Sequence, residues 1–326
     1  MPETPPAFAL HAHRHRLPDG RHLALDTVGP DDATDVLLCL PGLLETRRTF
    51  DPVLQAVQAL AESRPHAHDT SSLPWQAISL DHCGRGDSDR LPDDAGYSMA
   101  RYLDDVAHLL RDHVLRARPR RLHVLGTSMG GILGMYLASD AQWPVRSLCL
   151  NDIGLSFHWV SIYGLYDGMK QGLPAATPEA WATQLRVSPG VLRAVQSPAH
   201  FDLPYRKDWK GMKFAHLLQH YRGDVRLVRG GLSGVCLPEQ VQALRQQVPH
   251  AHVLEVPTAS HPVPYTPAVC DFVLADALAC ARRAPAHAAP APEMAAPVPP
   301  TEPASAPTPP AMAKRGWWHW LRQKLG

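Results

Sequence analysis

The chain has 326 residues, and 45% of them are hydrophobic, which is enough for one large domain or for a core with an inserted second part. Its 32 basic residues almost balance its 31 acidic residues, so the charge gives no electrostatic case for nucleic acid or an anionic membrane as a partner. The 6 cysteines are scattered without CxxC pairs, a pattern typical of buried, reduced thiols in a cytosolic protein.

A hairpin is the first predicted element, over residues 14–28, where Asp19-Gly20 separates two short runs. The stretch HAHRHR at 11–16 places histidines at alternate positions. No Cys or carboxylate cluster joins these histidines, so a solvent-facing edge strand is favoured over a metal site.

Strand and helix patterns alternate along most of the remaining chain. Near-continuous apolar runs predict strands that are buried on both faces of a sheet, at 35–42, 75–86, 121–128, 145–154, 224–231 and 251–257. Helical patterns lie between them, at 50–62, 98–114, 130–140, 238–247 and 266–282. This alternation predicts an α/β fold with a mostly parallel sheet and helices on both of its faces.

Residues 155–222 interrupt the alternation, because they contain no strand pattern of matching strength. Their tryptophans and tyrosines need burial, which favours a helical insertion over a long, poorly ordered loop. These aromatic residues are Trp159, Tyr163, Tyr166, Trp181, Tyr205, Trp209 and Tyr221. We therefore expect one core in two parts, 1–154 and 223–283, with the insertion between them.

The composition changes after the core. Residues 284–313 are dominated by Ala and Pro, which predicts a semi-rigid disordered linker. The chain then ends in KRGWWHWLRQKLG, a tail at 314–326 that is rich in Trp, Lys and Arg. The tail resembles a very short interfacial or docking segment, and a merely adhesive tail is the alternative.

The stretch LGTSMGG contains Gly126-Thr127-Ser128-Met129-Gly130, a G-x-S-x-G motif that follows an apolar strand and opens a helical pattern. The glycines relieve crowding where the backbone reverses, so that Ser128 is held at strained dihedrals with its hydroxyl exposed above the sheet. The helix directs its N-terminal amides towards developing negative charge. The motif therefore predicts a nucleophilic serine.

A second turn lies in LCLPGLLE, where Pro41-Gly42 follows the strand predicted over 35–42. Gly42 lets the chain turn sharply beside the serine. The backbone N–H groups of Leu43 and Met129 would then hold an oxyanion together. On its own, the stretch is equally an ordinary Pro-Gly turn.

Three stretches together resemble the α/β-hydrolase-fold superfamily: LPGLLETRRTF, the DHCGRGDSD loop at 81–89, and GTSMGG at 126–131. The resemblance covers roughly residues 14–282 and implies a serine hydrolase of the esterase branch, without a metal or organic cofactor. It also implies a cap domain at 155–222. Members usually have His-Gly where this chain has Pro41-Gly42. This difference changes little, because the oxyanion is bound by the backbone N–H that follows the glycine.

The resemblance implies that His261, between the last strand and the last helix, is the catalytic base. Most members carry the acid in the loop after the seventh strand, here RGGLSGVCLPEQ, where Gly234 offers no carboxylate. Asp224 precedes that strand and Glu239 lies on the next helix, so both are poor candidates. Some lipases and haloalkane dehalogenases carry the acid after strand six, and we therefore expect Asp152, in LNDIG, to be the acid. A structural role for Asp152 and an incomplete triad remain alternatives.

The expected activity is hydrolysis of a carboxylic ester with a small or medium acyl group, through an acyl-enzyme on Ser128. One alternative is a carbon–carbon bond hydrolase of a dienoic ketoacid, which uses the same triad with a similar cap. A basic clamp for the substrate carboxylate would favour it, and basic residues in the insertion leave it open. These residues are Arg186, Arg193, Arg206 and Lys207. The other alternative is a binding protein that retains the fold with a degenerate triad.

The expected partner is a small-molecule ester, and nucleic acid is not expected. The first 16 residues show no apolar h-region, and no run approaches the roughly 20 apolar residues of a membrane span, so we expect a cytoplasmic protein. Residues 314–326 are the candidate for peripheral contact with a membrane or granule surface.

Overall fold

The computed structural model describes residues 10–62, 75–91, 96–116, 120–160 and 210–275. Within these ranges, eight strands form one central sheet. They are β1 (His11–Arg16), β2 (His22–Val28), β3 (Asp35–Leu40), β4 (Trp75–Leu80), β5 (Arg121–Thr127), β6 (Val145–Asn151), β9 (Asp224–Gly230) and β10 (His252–Val256).

The strands lie in the order β1-β2-β4-β3-β5-β6-β9-β10 across the sheet. The first two form an antiparallel hairpin, β2 pairs antiparallel with β4, and every pairing from β4 to β10 is parallel. The predicted α/β fold with a mostly parallel sheet is confirmed. Because parallel strands end at the same edge, the loops after β3, β5, β6, β9 and β10 lie side by side.

The hairpin agrees with its prediction, although its first strand begins at His11 and therefore includes the whole HAHRHR stretch. Almost every residue of β1 is exposed, whereas β2 is buried along nearly its full length. This matches the expected solvent-facing edge strand.

The described helices are α1 (Asp51–Glu62), α2 (Met99–Leu109), α3 (Met129–Ser139), α4 (Pro238–Gln247) and α5 (Pro267–Val273). All five lie within predicted helical ranges, give or take one residue at α3. The Ser98 side chain accepts a hydrogen bond from the Arg101 N–H at 3.2 Å and so caps α2, which continues as a π-helical turn over Leu110–Val114.

Two apolar clusters lie on opposite faces of the sheet. One packs α2, α3 and α4 with the start of the insertion, and the other packs α1 and α5. Helix α3 is buried on all sides from Met129 to Leu137, so it is the central helix of its layer. The cysteines of the described residues are free and buried, as expected.

The ends of the predicted insertion form a short antiparallel ribbon of β7 (Ser156–His158) and β8 (Gly211–Lys213). The prediction of a helical insertion at 155–222 did not include these two strands, because three residues are too few to show an alternating pattern. Trp159 and Tyr221 are buried, as their size required. Residues 161–209, the linker at 284–313 and the tail at 314–326 lie outside the described residues.

A buried ionic cluster joins the hairpin to the loops after β3 and β4. The Arg47 guanidinium contacts Asp26 at 2.9 Å, Asp87 at 2.6 Å and also Asp81, while its backbone N–H donates to Asp81 at 2.7 Å. Asp26 and Asp81 are fully buried. The negative charges of two buried carboxylates are therefore neutralised mainly by one arginine, Arg47.

Replacement of Arg47 by methionine is expected to lower the free energy of unfolding by about 3–5 kcal/mol, because it leaves buried carboxylates without their cation. The neighbouring Arg48→Met is the matched control, since Arg48 contacts Asp26 at 3.1 Å with a side chain that is 51% exposed. It should cost less than about 1 kcal/mol. Urea unfolding of both variants measures the difference, and equal losses would contradict a special role for the buried cluster.

Candidate active site

The turn between β5 and α3 consists of a single residue, Ser128. Its φ of 51° and ψ of −115° are strained for a residue that is not glycine. Two hydrogen bonds hold it there: the Ser128 N–H donates to the Asn151 carbonyl at 2.9 Å, and the Gly131 N–H donates to the Ser128 carbonyl at 2.9 Å. The hydroxyl is therefore presented at the carboxyl edge of the sheet.

The glycines that flank this turn allow three backbones to approach closely. A Cβ on Gly126 would lie 2.3 Å from the Gly130 carbonyl oxygen, and a Cβ on Gly130 would lie 2.0 Å from the Leu40 carbonyl oxygen. Both distances are far inside van der Waals contact. The G-x-S-x-G spacing is thus required by the packing of α3 against the ends of β5 and β3.

A continuous chain of hydrogen bonds joins the three polar side chains that the sequence singled out. His261 Nε2 lies 3.0 Å from the Ser128 hydroxyl oxygen, and His261 Nδ1 lies 2.8 Å from Asp152 Oδ2. The histidine is only 7% exposed and the carboxylate is fully buried. The structure therefore brings the serine, the imidazole and a carboxylate together at one edge of the sheet.

The carboxylate comes from the loop directly after β6. Asp152 has a positive φ of 56°, and its second oxygen, Oδ1, accepts a hydrogen bond from the Gly230 N–H at 2.9 Å. In the loop after β9, a Cβ added to Gly234 would meet nothing within 4 Å. Asp224 pairs with Arg226 at 2.9 Å. The geometry accordingly places Asp152 at the imidazole, whereas Asp224 is engaged elsewhere.

Asn151 ties the histidine loop to the sheet, and sequence reasoning missed it. Its Nδ2 donates to the Val263 carbonyl at 2.8 Å, and the Val263 N–H donates back to its Oδ1 at 3.2 Å. Val263 lies two residues after His261 on the same loop. A polar residue at the buried end of β6, beside the expected acid, was the available signal.

The loop after β3 is held from both sides. The Gly42 N–H donates to Glu45 Oε2 at 2.7 Å, and Arg85 Nε donates to the Leu43 carbonyl at 2.9 Å. Within the described residues, no hydrogen bond engages the N–H of Leu43 or that of Met129. These two amides, which the sequence predicted for an oxyanion hole, thus remain available as donors.

Glu45 is a buried carboxyl that the sequence analysis did not identify. Burial raises the pKa of Glu45 to about 7, although the Gly42 amide, nearby His261 and the Thr127 hydroxyl all act in the opposite direction. The Thr127 hydroxyl also lies 2.7 Å from the Tyr265 hydroxyl. A second polar network therefore lies next to the Ser–His–Asp chain.

The described residues contain no group of three or more His, Cys, Asp or Glu side chains that would hold a metal ion. In the same part of the chain, none of the helices has the length and apolar character needed to cross a bilayer.

A family model described as the alpha/beta hydrolase fold matches residues 35–189. Together with the strand order and the serine turn after β5, this match identifies the fold. The chain has the α/β-hydrolase fold. Among solved structures of this fold, an alpha/beta hydrolase from Novosphingobium aromaticivorans gives a TM-score of 0.64 at 18% identity, over 83% of this chain and 98% of that chain. E-2-(acetamidomethylene)succinate hydrolase gives 0.58 at 18% identity, over 85% and 100%.

One curated relative is closer in sequence than these structures. It is 3-hydroxybutyrate-oligomer hydrolase from Cupriavidus necator, which is 29% identical over 280 residues. The similarity covers 75% of this chain and 88% of that protein. This α/β hydrolase is therefore similar to that enzyme over most of both chains.

Gly130→Ala should disrupt the serine turn, because its Cβ would lie 2.0 Å from the Leu40 carbonyl oxygen. We expect the rate of covalent labelling of Ser128 by a fluorophosphonate to fall at least about tenfold, and stability to fall by roughly 2 kcal/mol. Gly234→Ala, whose Cβ meets open space, is the matched control and should match wild type. Equal labelling of the two variants would show that the close approach is not required.

Stability should depend on pH through Glu45. Its pKa is raised from 4.5 to about 7 in the folded state, so the folded protein favours the protonated carboxyl. The stability that wild type has with this carboxyl protonated is therefore fully present below about pH 4.5 and is lost as pH rises through 7. At 1.36 kcal/mol per pKa unit this amounts to roughly 3 kcal/mol. Urea unfolding at pH 5 and pH 8 should therefore show Glu45→Gln gaining stability over wild type at the higher pH.

The exposed Glu239→Gln controls for the loss of a carboxylate elsewhere on the surface. If wild type and Glu45→Gln lose stability in parallel between the two pH values, the carboxyl at residue 45 does not have a raised pKa.

Proposed function

We propose that this α/β hydrolase cleaves carboxylic esters, with Ser128 as nucleophile, His261 as general base and Asp152 as the acid that orients the imidazole. The observation that carries the proposal is the hydrogen-bonded chain from the serine hydroxyl through the imidazole to a buried carboxylate, at 3.0 and 2.8 Å. A nucleophile and its base must lie within such reach for proton transfer.

The proposed mechanism follows from the donors and acceptors along this chain. Asp152 is an acceptor when ionised, so the proton of neutral His261 lies on Nδ1, and Nε2 is free to accept the proton of Ser128. The serine oxygen attacks the acyl carbon as it loses its proton. His261 then gives the proton to the leaving alcohol, and water activated by the same imidazole releases the acid.

The amides of Leu43 and Met129 are the proposed donors to the tetrahedral oxyanion. Met129 is the first residue of α3, where backbone N–H groups lack helical acceptors and the helix dipole favours negative charge. Leu43 supplies the second amide from the loop after β3. Their freedom from other hydrogen bonds within the described residues supports this assignment.

The proposed substrate class is an ester of a short hydroxy acid, with linear oligomers of 3-hydroxybutyrate as the first candidates. The support is the 29% identity to 3-hydroxybutyrate-oligomer hydrolase over 75% of this chain. Each bond in such an oligomer joins an acyl group to a secondary alcohol, which the proposed mechanism cleaves without a cofactor.

A catalytically degenerate binding protein is the competing proposal, and it drew on the absence of a carboxylate at Gly234. Asp152, on a neighbouring loop, supplies a buried carboxylate to the imidazole. This contact supports the ester hydrolase over the degenerate binding protein. The basic residues that would favour a carbon–carbon bond hydrolase lie outside the described residues.

Asp152→Asn should lower the rate of p-nitrophenyl butyrate hydrolysis by roughly 10³- to 10⁴-fold, because an amide holds the imidazole in the wrong tautomer. Ser128→Ala should remove activity and fluorophosphonate labelling. Glu239→Gln is the control, since its side chain is exposed on α4. A rate for Asp152→Asn close to that of wild type would make Asp152 structural.

The substrate class has a separate test. Wild type should release 3-hydroxybutyrate from its dimer and trimer, measured by chromatography, whereas Ser128→Ala should not. Hydrolysis of p-nitrophenyl butyrate without any cleavage of the oligomers would contradict this substrate class and leave ester hydrolysis standing.

A further inference from the structure

Glu45 is a buried carboxyl that the proposed Ser–His–Asp mechanism does not use. It is 2% exposed, and its side chain folds back on its own loop to accept the Gly42 N–H at 2.7 Å. That hydrogen bond fixes the peptide plane between Pro41 and Gly42. The next peptide along the chain carries the Leu43 amide.

Arg85 fixes the same loop from its other side. Its Nε donates to the Leu43 carbonyl at 2.9 Å, which fixes the peptide plane that follows Leu43. The guanidinium is itself held, because it lies 5.7 Å from the centre of the Tyr102 ring and its NH2 group donates to the Tyr102 hydroxyl at 3.3 Å. Arg85 is 3% exposed, so water competes little with these contacts.

The peptide between Gly42 and Leu43 lies between these two fixed planes. Its Gly42 carbonyl accepts the Glu45 backbone N–H at 3.2 Å, whereas no hydrogen bond among the described residues engages its Leu43 N–H. Peptide planes are rigid, so fixing the planes on either side restricts the rotation of the one between them. Preorganised donors of this kind stabilise an oxyanion without reorganisation during the reaction.

Glu45 also connects this loop to the other two loops of the site. The Thr127 hydroxyl hydrogen-bonds the Glu45 carboxyl and lies 2.7 Å from the Tyr265 hydroxyl. Thr127 directly precedes Ser128, and Tyr265 lies four residues after His261 on the histidine loop. One buried network thus joins the loops after β3, β5 and β10.

We propose that Glu45 is a positioning residue, which holds the Leu43 amide in the orientation that receives the oxyanion, with Arg85 holding the same loop from the opposite side. The proposal rests on the proposed ester hydrolysis. Glu45 acts through the backbone and does not touch the substrate. Its side chain should therefore matter for the transition state more than for substrate binding.

The test compares Glu45→Leu, which is similar in size and accepts no hydrogen bond, with Glu45→Gln, which keeps an acceptor oxygen. We expect Glu45→Leu to lower kcat for p-nitrophenyl butyrate by roughly 10²-fold with KM changed by less than about threefold, as for loss of one oxyanion donor. Glu45→Gln should retain kcat within about fivefold of wild type. The exposed Glu239→Leu is the matched control.

A trifluoromethyl ketone, which forms a tetrahedral oxyanion adduct with a serine, supplies the second readout. Its inhibition constant should rise in Glu45→Leu by about the same factor as kcat/KM falls, because both report the transition state. Arg85→Met removes the hydrogen bond to the Leu43 carbonyl in the same loop. It should also lower kcat with little change in KM, and it serves if Glu45→Leu does not fold.

The outcomes separate this inference from the proposed function. A folded wild type that neither hydrolyses esters nor labels with a fluorophosphonate overturns the proposed function, and this inference with it. An active wild type with kcat of both Glu45→Leu and Arg85→Met close to that of Glu239→Leu overturns the positioning role alone. So does a Glu45→Gln variant as inactive as Glu45→Leu, because the acceptor oxygen would then not be what matters.

Discussion

The close approach of three backbones at the serine turn is the constraint on which the site depends. Helix α3 can begin directly at the end of β5 only because Gly130 has no Cβ, which would otherwise lie 2.0 Å from the Leu40 carbonyl oxygen. This packing places the first amide of α3 beside the loop that follows β3. Ser128, the N-terminus of α3 and the loop that carries the Leu43 amide are thus neighbours as a result of one packing contact.

The parallel sheet explains how the carboxylate reaches the imidazole from an unusual loop. The strands β6 and β9 are adjacent, so a side chain after either strand can reach the same point above the sheet edge. In this chain Asp152 follows β6, and the end of β9 contributes the Gly230 amide to the carboxylate instead. The end of β9 therefore hydrogen-bonds the carboxylate of Asp152, although the loop after β9, residues 231–237, carries no carboxylate of its own.

The strands, the helices and the serine turn follow from the sequence because their signals are local. Apolar runs, helical periods and the glycines around Ser128 all lie within a few residues of one another. The position of Asp152 also follows, since strand order fixes which loops meet. Sequence reasoning missed contacts between residues that are distant in the chain. Glu45 and Arg85 have no distinguishing signal in the sequence, and only the fold shows that both hydrogen-bond the Gly42–Leu43 turn. The ribbon of β7 and β8 was missed for a different reason, because strands of three residues have no period to detect.

The exposed outer strand bears on how molecules of this protein meet one another. β1 is the outer strand of the sheet that the described residues form, and none of their strands pairs with its other side. A strand of another molecule could add to the backbone groups there. Its sequence HAHRHR is exposed almost throughout and carries two arginines, of which Arg14 pairs with Asp89 at 2.5 Å. A second copy of the strand that added there would bring arginines of like charge towards one another. Charged side chains on an exposed edge strand disfavour edge-to-edge pairing, and the arginines of β1 are a feature of this kind.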